Sequence, residues 1–334
     1  MNSPGVLFCI FASILAVQSG IYGIGINYGL LGDNLPPPDQ VIPLLQARNI
    51  QKVRIFDPNP DVLRALEGSG IQVTVGVSNE DLQQLSSNPS AATDWVNANL
   101  IPHMPNIAIS CVSAGNEVIP GPLDQFVLPA MANLDAALKA ANINVPVSTA
   151  VSMAVLGSSY PPSAGIFSSS AMSGIVGFLA ANNYPLMANV YPYFAYAGDT
   201  ADIKLEYALF TSPGPVVMDG SLQYSNLFDA MVDSLYSALE KASGGNVQVI
   251  VSETGWPTAG NGDITSVANA QVYQQNLISH VSSSTGTPKR PGQPIETYIF
   301  ALFNEDLKPA GVEQNWGLYQ PDMTEVYHVD FTSN

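Results

Sequence analysis

Residues 108–151 read AISCVSAGNEVIPGPLDQFVLPAMANLDAALKAANINVPVSTAV and contain a strand, a helix and a second strand in succession. The first part, Ala108 to Glu117, is an apolar run of strand length. The middle part, Leu123 to Ala141, has apolar residues at helical spacing. The last part, Val145 to Val151, is short and rich in β-branched residues. The segment therefore predicts one βαβ unit with two parallel strands.

The same alternation of short apolar runs and longer helical patterns extends over the rest of the chain. Several runs are apolar nearly throughout, as expected when both faces of a sheet are covered. Eight such units predict the α/β class and a single (β/α)₈ TIM barrel. An open doubly wound sheet is the alternative, although no strand is followed by a GxGxxG or GxxxxGK[ST] phosphate loop. The predicted strands are Gly23 to Tyr28, Lys52 to Asp57, Gln72 to Ser78, Ala108 to Glu117, Val145 to Val151, Leu186 to Tyr191, Val247 to Glu253 and Glu296 to Phe303.

The N-terminus carries an apolar run, Val6 to Val17, followed by small residues. This pattern predicts a secretory signal peptide over residues 1–20, with a buried first helix as the alternative. Without a Gly/Ser linker or composition break, residues 21–334 are interpreted as one barrel domain. Cleavage would remove Cys9 and leave Cys111, which we interpret as an inert core residue because it lies in an apolar strand.

Composition and charge limit the classes of partner. Hydrophobic residues make up 46% of the chain and charged residues 11%, which indicates a large buried core. The net charge of -17 argues against nucleic acid and repels anionic lipid headgroups. A neutral, hydroxyl-rich ligand is favoured, and we expect no nucleic-acid or membrane partner.

Two glutamates end predicted strands, Glu117 on the fourth and Glu253 on the seventh. The C-terminal ends of barrel strands surround one mouth, where polar side chains are often catalytic. Glycosidic bond cleavage requires such a pair, because one carboxyl holds a proton while the other stays ionised. Asn116, beside the proposed acid, has an amide suited to a sugar 2-hydroxyl. The alternative is structural: both glutamates cap the following helices or pair with Arg54 and Lys308.

Aromatic side chains near strand ends suit the flat C–H faces of pyranose rings, although an aromatic residue taken singly is more often core. The isolated histidines and the lack of HExxH, paired cysteines or GxSxG predict no metal, no cofactor and no serine nucleophile. The aromatic candidates are Tyr28, Phe56, Tyr191, Tyr193, Phe194, Trp256 and Phe303, with Trp316 just beyond.

At these residues the chain resembles the plant endo-1,3-β-glucanases of glycoside hydrolase family 17. The matching motifs keep the family's order and cover nearly all of the predicted mature chain. They are IGINYG at 24–29, VRIFD at 53–57, AGNE at 114–117, NVYPYF at 189–194, SETGWP at 252–257, FNE at 303–305 and NWGLY at 315–319.

The resemblance implies a (β/α)₈ catalytic domain that retains anomeric configuration, with Glu117 as acid/base and Glu253 as nucleophile. It also implies that Glu305, Lys308 and Glu313 support the site. Glu313 is a second candidate for the acid. Glu117 is preferred because it ends a barrel strand, whereas Glu313 lies in a loop.

The implied substrate is 1,3-β-glucan, such as callose, laminarin-type glucan or fungal wall glucan, in wall remodelling or defence. The chain lacks the C-terminal extension of vacuolar relatives, so we expect a secreted protein in the apoplast or cell wall. We also expect a monomer. Two alternatives stay open: a 1,3-1,4-β-glucanase on the same scaffold, and a catalytically silent glucan-binding wall protein. The presence of both glutamates argues against the silent protein.

Overall fold

Eight parallel strands close into a barrel in the computed structural model, which describes residues 24–283 and 285–331. Each strand pairs with its neighbours in chain order, and β1 closes the ring against β8. The predicted barrel and all eight predicted strands are confirmed, whereas the predicted signal peptide lies outside the described residues. The strands are β1 (Ile24–Asn27), β2 (Lys52–Ile55), β3 (Gln72–Val77), β4 (Ala108–Asn116), β5 (Val147–Ser152), β6 (Leu186–Asn189), β7 (Val249–Thr254) and β8 (Thr297–Ile299).

The last strand is shorter than the predicted run of 296–303. Beyond Ile299 the backbone N–H groups turn to several different partners. Phe300 N–H bonds to Thr254 O at 2.8 Å, and Ala301 N–H bonds to Trp316 O at 3.1 Å. Because regular pairing stops there, Phe300 stands at the barrel mouth rather than inside a strand.

Helices connect the strands and cover the outside of the barrel. Several begin with a side-chain cap, such as Asn59, Asn88, Asn226 and Ser266, each of which accepts a hydrogen bond from a first-turn N–H. The helices are α1 (Pro38–Ala47), α2 (Pro60–Leu66), α3 (Leu82–Ser87), α4 (Pro89–Asn99), α5 (Asp124–Ala140), α6 (Ala171–Asn182), α7 (Pro192–Gly198), α8 (Leu205–Ala208), α9 (Leu227–Lys241) and α10 (Val267–Ser282).

Two hairpins lie in the connections between barrel strands: Leu156–Ser158 with Ile166–Phe167, and Val217–Asp219 with Leu222–Tyr224. A third hairpin, Gly286–Thr287 with Arg290–Pro291, precedes β8. The long connection between β6 and α9 contains α7, α8 and the second of these hairpins, so it is structured.

The barrel interior is apolar over most of its wall and becomes polar towards the C-terminal ends of the strands. Cys111 is buried there beside Ala150 and Met187, and burial raises the pKa of its thiol to about 12. A thiol with so high a pKa is a poor nucleophile, which agrees with the core interpretation. Asn27, Arg54, Asn189 and Ser252 are also buried, and they form the polar layer beneath the mouth.

Asp233 on α9 gives a pH-dependent prediction for stability. Its carboxyl is fully buried and accepts the N–H of Lys289 at 2.8 Å, and burial raises its pKa from 3.8 to about 6. Because the folded state binds this proton more tightly than the unfolded chain, the stabilisation is complete below about pH 4 and is lost as pH rises through about 6. We therefore expect Asp233→Asn to raise the melting temperature at pH 8 relative to wild type.

The matched measurement is thermal unfolding of wild type and Asp233→Asn at pH 4 and pH 8. A pKa shift of about two units corresponds to roughly 3 kcal/mol of unfolding free energy at most. The difference in melting temperature between wild type and Asp233→Asn should therefore change by several degrees between pH 4 and pH 8. An equal difference at both values would show that the charge of Asp233 does not govern this pH dependence.

Candidate active site

A β-bulge precedes each of the two predicted catalytic glutamates. Along β4 and β5, Ser113 pairs with Ser148 and Asn116 pairs with Ala150, so β4 holds one extra residue. Bulges bend a strand and redirect its side chains, and they are common beside active sites. This bulge turns the end of β4, where Glu117 follows, towards the barrel mouth.

The second bulge lies in β7. Val251 pairs with Ala188 and Glu253 pairs with Asn189, so Ser252 is the extra residue. The Ser252 hydroxyl donates to Asn189 Oδ1 at 2.7 Å, inside the barrel. The bulge therefore leaves Glu253 opposite Asn189 at the barrel mouth.

The backbone at Glu117 has a positive φ of 55°, which is uncommon for a residue with a side chain. Two contacts hold the segment: Glu117 N–H bonds to Ala150 O at 2.8 Å, and Asn116 N–H bonds to Asn79 Oδ1 at 2.8 Å. Such conformations persist where the surroundings fix them, and they cluster at functional sites. The backbone that carries the Glu117 side chain is therefore held in one conformation.

Glu253 is held by a cation and a phenol. Arg54 Nη1 lies 2.6 Å from Glu253 Oε1, and the Tyr191 hydroxyl donates to Oε2 at 2.7 Å. Arg54 is 2% exposed and Glu253 is 6% exposed, so the ion pair is largely shielded from water. Both carboxylate oxygens are thereby fixed in position.

Two amides connect the glutamates. Asn189 Nδ2 donates to Glu117 Oε1 at 2.8 Å and to Asn116 Oδ1 at 3.2 Å. Asn116 Oδ1 also accepts from Arg54 Nη2 at 2.8 Å. A continuous hydrogen-bond network therefore runs from Glu253 through Arg54 to Glu117.

The surroundings of Glu117 favour its protonated form. Desolvation within the cleft raises the pKa of the Glu117 carboxyl, and the negative charge of Glu253 raises it further. The hydrogen bond from Asn189 and the charge of Arg54 act in the opposite direction. The net rise is what a general acid requires.

The two glutamates line one open cleft of about 760 Å³. Its aromatic wall contains Phe56, Tyr191, Phe194, Phe300 and Trp316. Neighbouring rings of this wall meet mostly edge to face, as Tyr191 and Trp316 do at 5.2 Å between centroids. Phe194 is 48% exposed, so part of this wall is open to a ligand.

Four of the predicted aromatic candidates are buried and do not line the cleft. Tyr28, Tyr193, Trp256 and Phe303 are 1%, 2%, 0% and 2% exposed. Tyr28 packs edge to face on Phe303 at 6.3 Å, and the Trp256 indole N–H donates to Ile264 O at 2.9 Å. Their rings are used in packing, so the structure does not bring them into the cleft.

The predicted supporting residues Glu305, Lys308 and Glu313 do line the cleft. Glu305 is 3% exposed and accepts the N–H of Leu31 at 2.7 Å. A Cβ at position 29 would overlap the Glu305 carboxylate, so any residue other than Gly29 would force that carboxylate to shift. Lys308 Nζ lies 3.4 Å from Glu305 Oε2 and 4.2 Å from the centroid of Phe300. The ammonium is thus fixed at the aromatic wall.

Sequence reasoning missed the roles of Asn189 and Phe300. A signal for Asn189 was present in the sequence, since it is a polar residue that follows the apolar run Leu186 to Ala188. Arg54 is likewise a polar residue within a predicted strand, now β2. It was considered only as a structural partner of a glutamate.

Over residues 24–283 and 285–331, no group of three or more His, Cys, Asp or Glu side chains is arranged to hold a metal ion. Over the same residues, no helix combines the length and apolar character needed to cross a bilayer.

A closed barrel with two glutamates at the ends of β4 and β7, beside an aromatic wall, is the architecture of a (β/α)₈-barrel glycoside hydrolase. The chain belongs to glycosyl hydrolases family 17, whose profile matches residues 24–331. The acidic isoform of glucan endo-1,3-beta-glucosidase from Zea mays is 49% identical and aligns over 99% of this chain and 98% of its own length. The predicted family is therefore confirmed.

Two solved structures also match this chain over most of its length. CJP38, a beta-1,3-glucanase and allergen of Cryptomeria japonica pollen, is 49% identical with a TM-score of 0.90, over 93% of this chain and 100% of its own. A chain from a study of two plant beta-glucan endohydrolases with distinct substrate specificities is 44% identical with a TM-score of 0.89, over 92% of this chain and 100% of its own.

Proposed function

We propose that this protein is a retaining endo-hydrolase of 1,3-β-glucans that works by double displacement, with Glu253 as nucleophile and Glu117 as acid/base. The observation that carries the proposal is the difference between the two carboxyls. Glu253 is held against a buried guanidinium, whereas the surroundings of Glu117 raise its pKa. One ionised and one protonated carboxyl are what the first step requires.

In the first step, Glu253 attacks the anomeric carbon while Glu117 protonates the departing glycosidic oxygen. In the second step, Glu117 removes a proton from water, which attacks the glycosyl–enzyme bond and releases Glu253. The Tyr191 hydroxyl and Arg54 keep the Glu253 carboxylate oriented in the resting enzyme, which lowers the cost of reaching the attack geometry.

Substrate contacts are assigned by exposure and hydrogen bonding. Among the described residues, Asn116 Oδ1 has protein partners while no protein acceptor is bonded to its Nδ2, which we assign to the sugar 2-hydroxyl. Glu305, Lys308 and Glu313 bind or orient sugar hydroxyls at the cleft edge. We assign the buried Tyr28, Trp256 and Phe303 to support of the substrate-binding wall from below.

The preference for 1,3-linkages is supported by the similarity to the Zea mays glucan endo-1,3-beta-glucosidase and to the Cryptomeria japonica beta-1,3-glucanase. The mixed-linkage alternative retains support, because two plant endohydrolases of distinct specificity were described together with this fold. We expect reducing ends to form at least about tenfold faster from laminarin than from barley 1,3-1,4-β-glucan, a difference of about 1.4 kcal/mol. The reverse order would move the assignment to 1,3-1,4-β-glucan, and no release from either polymer would support a silent binding protein.

Retention gives a separate prediction. A covalent intermediate inverts the anomeric carbon twice, so the first product should be the β-anomer. Proton NMR of a fresh laminarin digest records the anomeric signals before mutarotation mixes them. An initial α-anomer would mean that the carboxylates activate water directly and that no glycosyl–enzyme forms.

We further propose that the protein acts as a secreted monomer in the apoplast or cell wall. The apolar run over residues 6–17 and the acidic net charge of -17 support this assignment. Callose or fungal wall glucan would then be the polymer encountered.

A further inference from the structure

A hydrogen-bond network runs from Arg54 through Asn116 and Asn189 to one oxygen of Glu117. The Arg54 guanidinium has hydrogen-bond donors and no acceptor. The Asn116 atom 2.8 Å from Arg54 Nη2 must therefore be the carbonyl oxygen, Oδ1. This contact fixes the orientation of the Asn116 amide without reference to hydrogen positions.

The orientation of the Asn189 amide follows from that of Asn116. Its nearer amide atom lies 3.2 Å from Asn116 Oδ1, which can only accept, so that atom must be the donor Nδ2. The other amide atom accepts from the Ser252 hydroxyl at 2.7 Å. Asn189 is 1% exposed and has contacts at both ends, so the alternative flip would place two acceptors together.

The second hydrogen of Asn189 Nδ2 is directed to Glu117 Oε1 at 2.8 Å. In a carboxylic acid the carbonyl oxygen is the stronger acceptor, so the oxygen that accepts this hydrogen bond is favoured as the carbonyl oxygen and the proton is favoured on the other oxygen. Among the described residues, Glu117 Oε2 has no protein hydrogen-bond partner, and the side chain lines the cleft.

We propose that Asn189 is a positioning residue that confines the catalytic proton of Glu117 to Oε2. The inference rests on the proposed function, because it takes Glu117 as the acid/base. The proton leaves Oε2 for the glycosidic oxygen as the bond from that oxygen to the anomeric carbon breaks. In the second step Oε2 takes a proton from the attacking water, so one oxygen serves both steps.

Asn189→Asp tests the proposal because it keeps the shape of the side chain and replaces the donor by an acceptor. We expect kcat/KM on laminarin to fall by at least about thirtyfold, within the usual contribution of general acid catalysis. On a β-laminaribioside with a dinitrophenolate leaving group, which needs no protonation, kcat/KM should change by less than about fivefold.

The pH profile supplies a readout that a merely structural role would not move. Asn189→Ala removes a donor that favours ionised Glu117, so the basic limb of kcat/KM should shift to higher pH. Asn226→Ala serves as the control, because it removes a buried amide that caps α9 and does not line the cleft. It should lower the melting temperature and leave the pH profile unchanged.

Equal losses of kcat/KM on laminarin and on the dinitrophenyl substrate, together with an unchanged basic limb of the pH profile, would overturn the positioning role of Asn189. The failure of the proposed function looks different. In that case Glu117→Gln itself would show no dependence on the leaving group, whatever the Asn189 variants do.

Discussion

Replacement of Glu253 by Gln should lower kcat/KM on laminarin by at least about 10³-fold, a loss of roughly 4 kcal/mol of transition-state stabilisation. The amide is a poor nucleophile, so no glycosyl–enzyme forms. A 2-fluoro-β-laminaribiosyl fluoride gives a direct measurement. Its 2-fluorine slows both steps while fluoride leaves readily, so the intermediate accumulates and mass spectrometry locates the labelled residue. We expect the label on Glu253 in the wild type and no label in the variant.

Glu296→Gln is the matched control for this experiment. Glu296 lies just before β8, at the opposite end of the barrel, and has the same kinds of partner. Lys52 Nζ lies 2.6 Å from one of its oxygens and the Tyr298 hydroxyl lies 2.9 Å from the other. Both variants remove a charge from a carboxylate–cation–tyrosine cluster and should lose stability. Only Glu253→Gln should lose the chemical step, and comparable loss in both variants would assign the effect to folding.

The fold was predictable because parallel strands covered on both faces are short apolar runs, and all eight were recognised. Their ends were not predictable to the residue. The eighth run continues through Phe303 in apolar character, but its regular pairing ends at Ile299. Pairing at a strand end depends on the residues that arrive from elsewhere in the chain, here Thr254 and Trp316.

The uncertainty about where each strand ends also explains why some site residues were predicted and others were missed. The strand-end rule located Glu117 and Glu253, because glutamate after an apolar run is conspicuous. It selected Phe303 as a cleft residue when the actual strand end places Phe300 at the mouth. For Trp256 the position near the mouth was right, but the ring packs between Tyr193 and Tyr273. Side-chain direction after a strand depends on packing that no local pattern contains.

The bulges in β4 and β7 were equally invisible in the sequence. An extra residue in one strand is defined only against its partner, so a single strand read by itself carries no sign of it. Yet these bulges bring Ser252 to Asn189 and turn the end of β4 before Glu117. The sequence predicted which two carboxyl groups lie at the barrel mouth, and tertiary pairing determines how their side chains are oriented.

Replacement of Glu117 by Gln should separate the two chemical steps. Gln keeps the acceptor for Asn189 but has no proton to give, so laminarin hydrolysis should fall by about 10²- to 10⁴-fold. A dinitrophenyl β-laminaribioside needs no acid in the first step but still needs a base in the second. Stopped-flow absorbance should therefore show a burst of dinitrophenolate followed by slow turnover. Added azide, which attacks without a base, should accelerate the slow phase.

Glu313→Gln is the comparison that decides which carboxyl is the acid. Glu313 lines the same cleft and its charge contributes to the raised pKa of Glu117, so its loss should lower that pKa and shift the basic limb of activity to lower pH. It should produce no burst and no azide effect, because the acid/base remains in place. If the burst and the azide response appeared in Glu313→Gln and not in Glu117→Gln, the acid/base would be Glu313, and the fixed backbone at the end of β4 would serve another purpose.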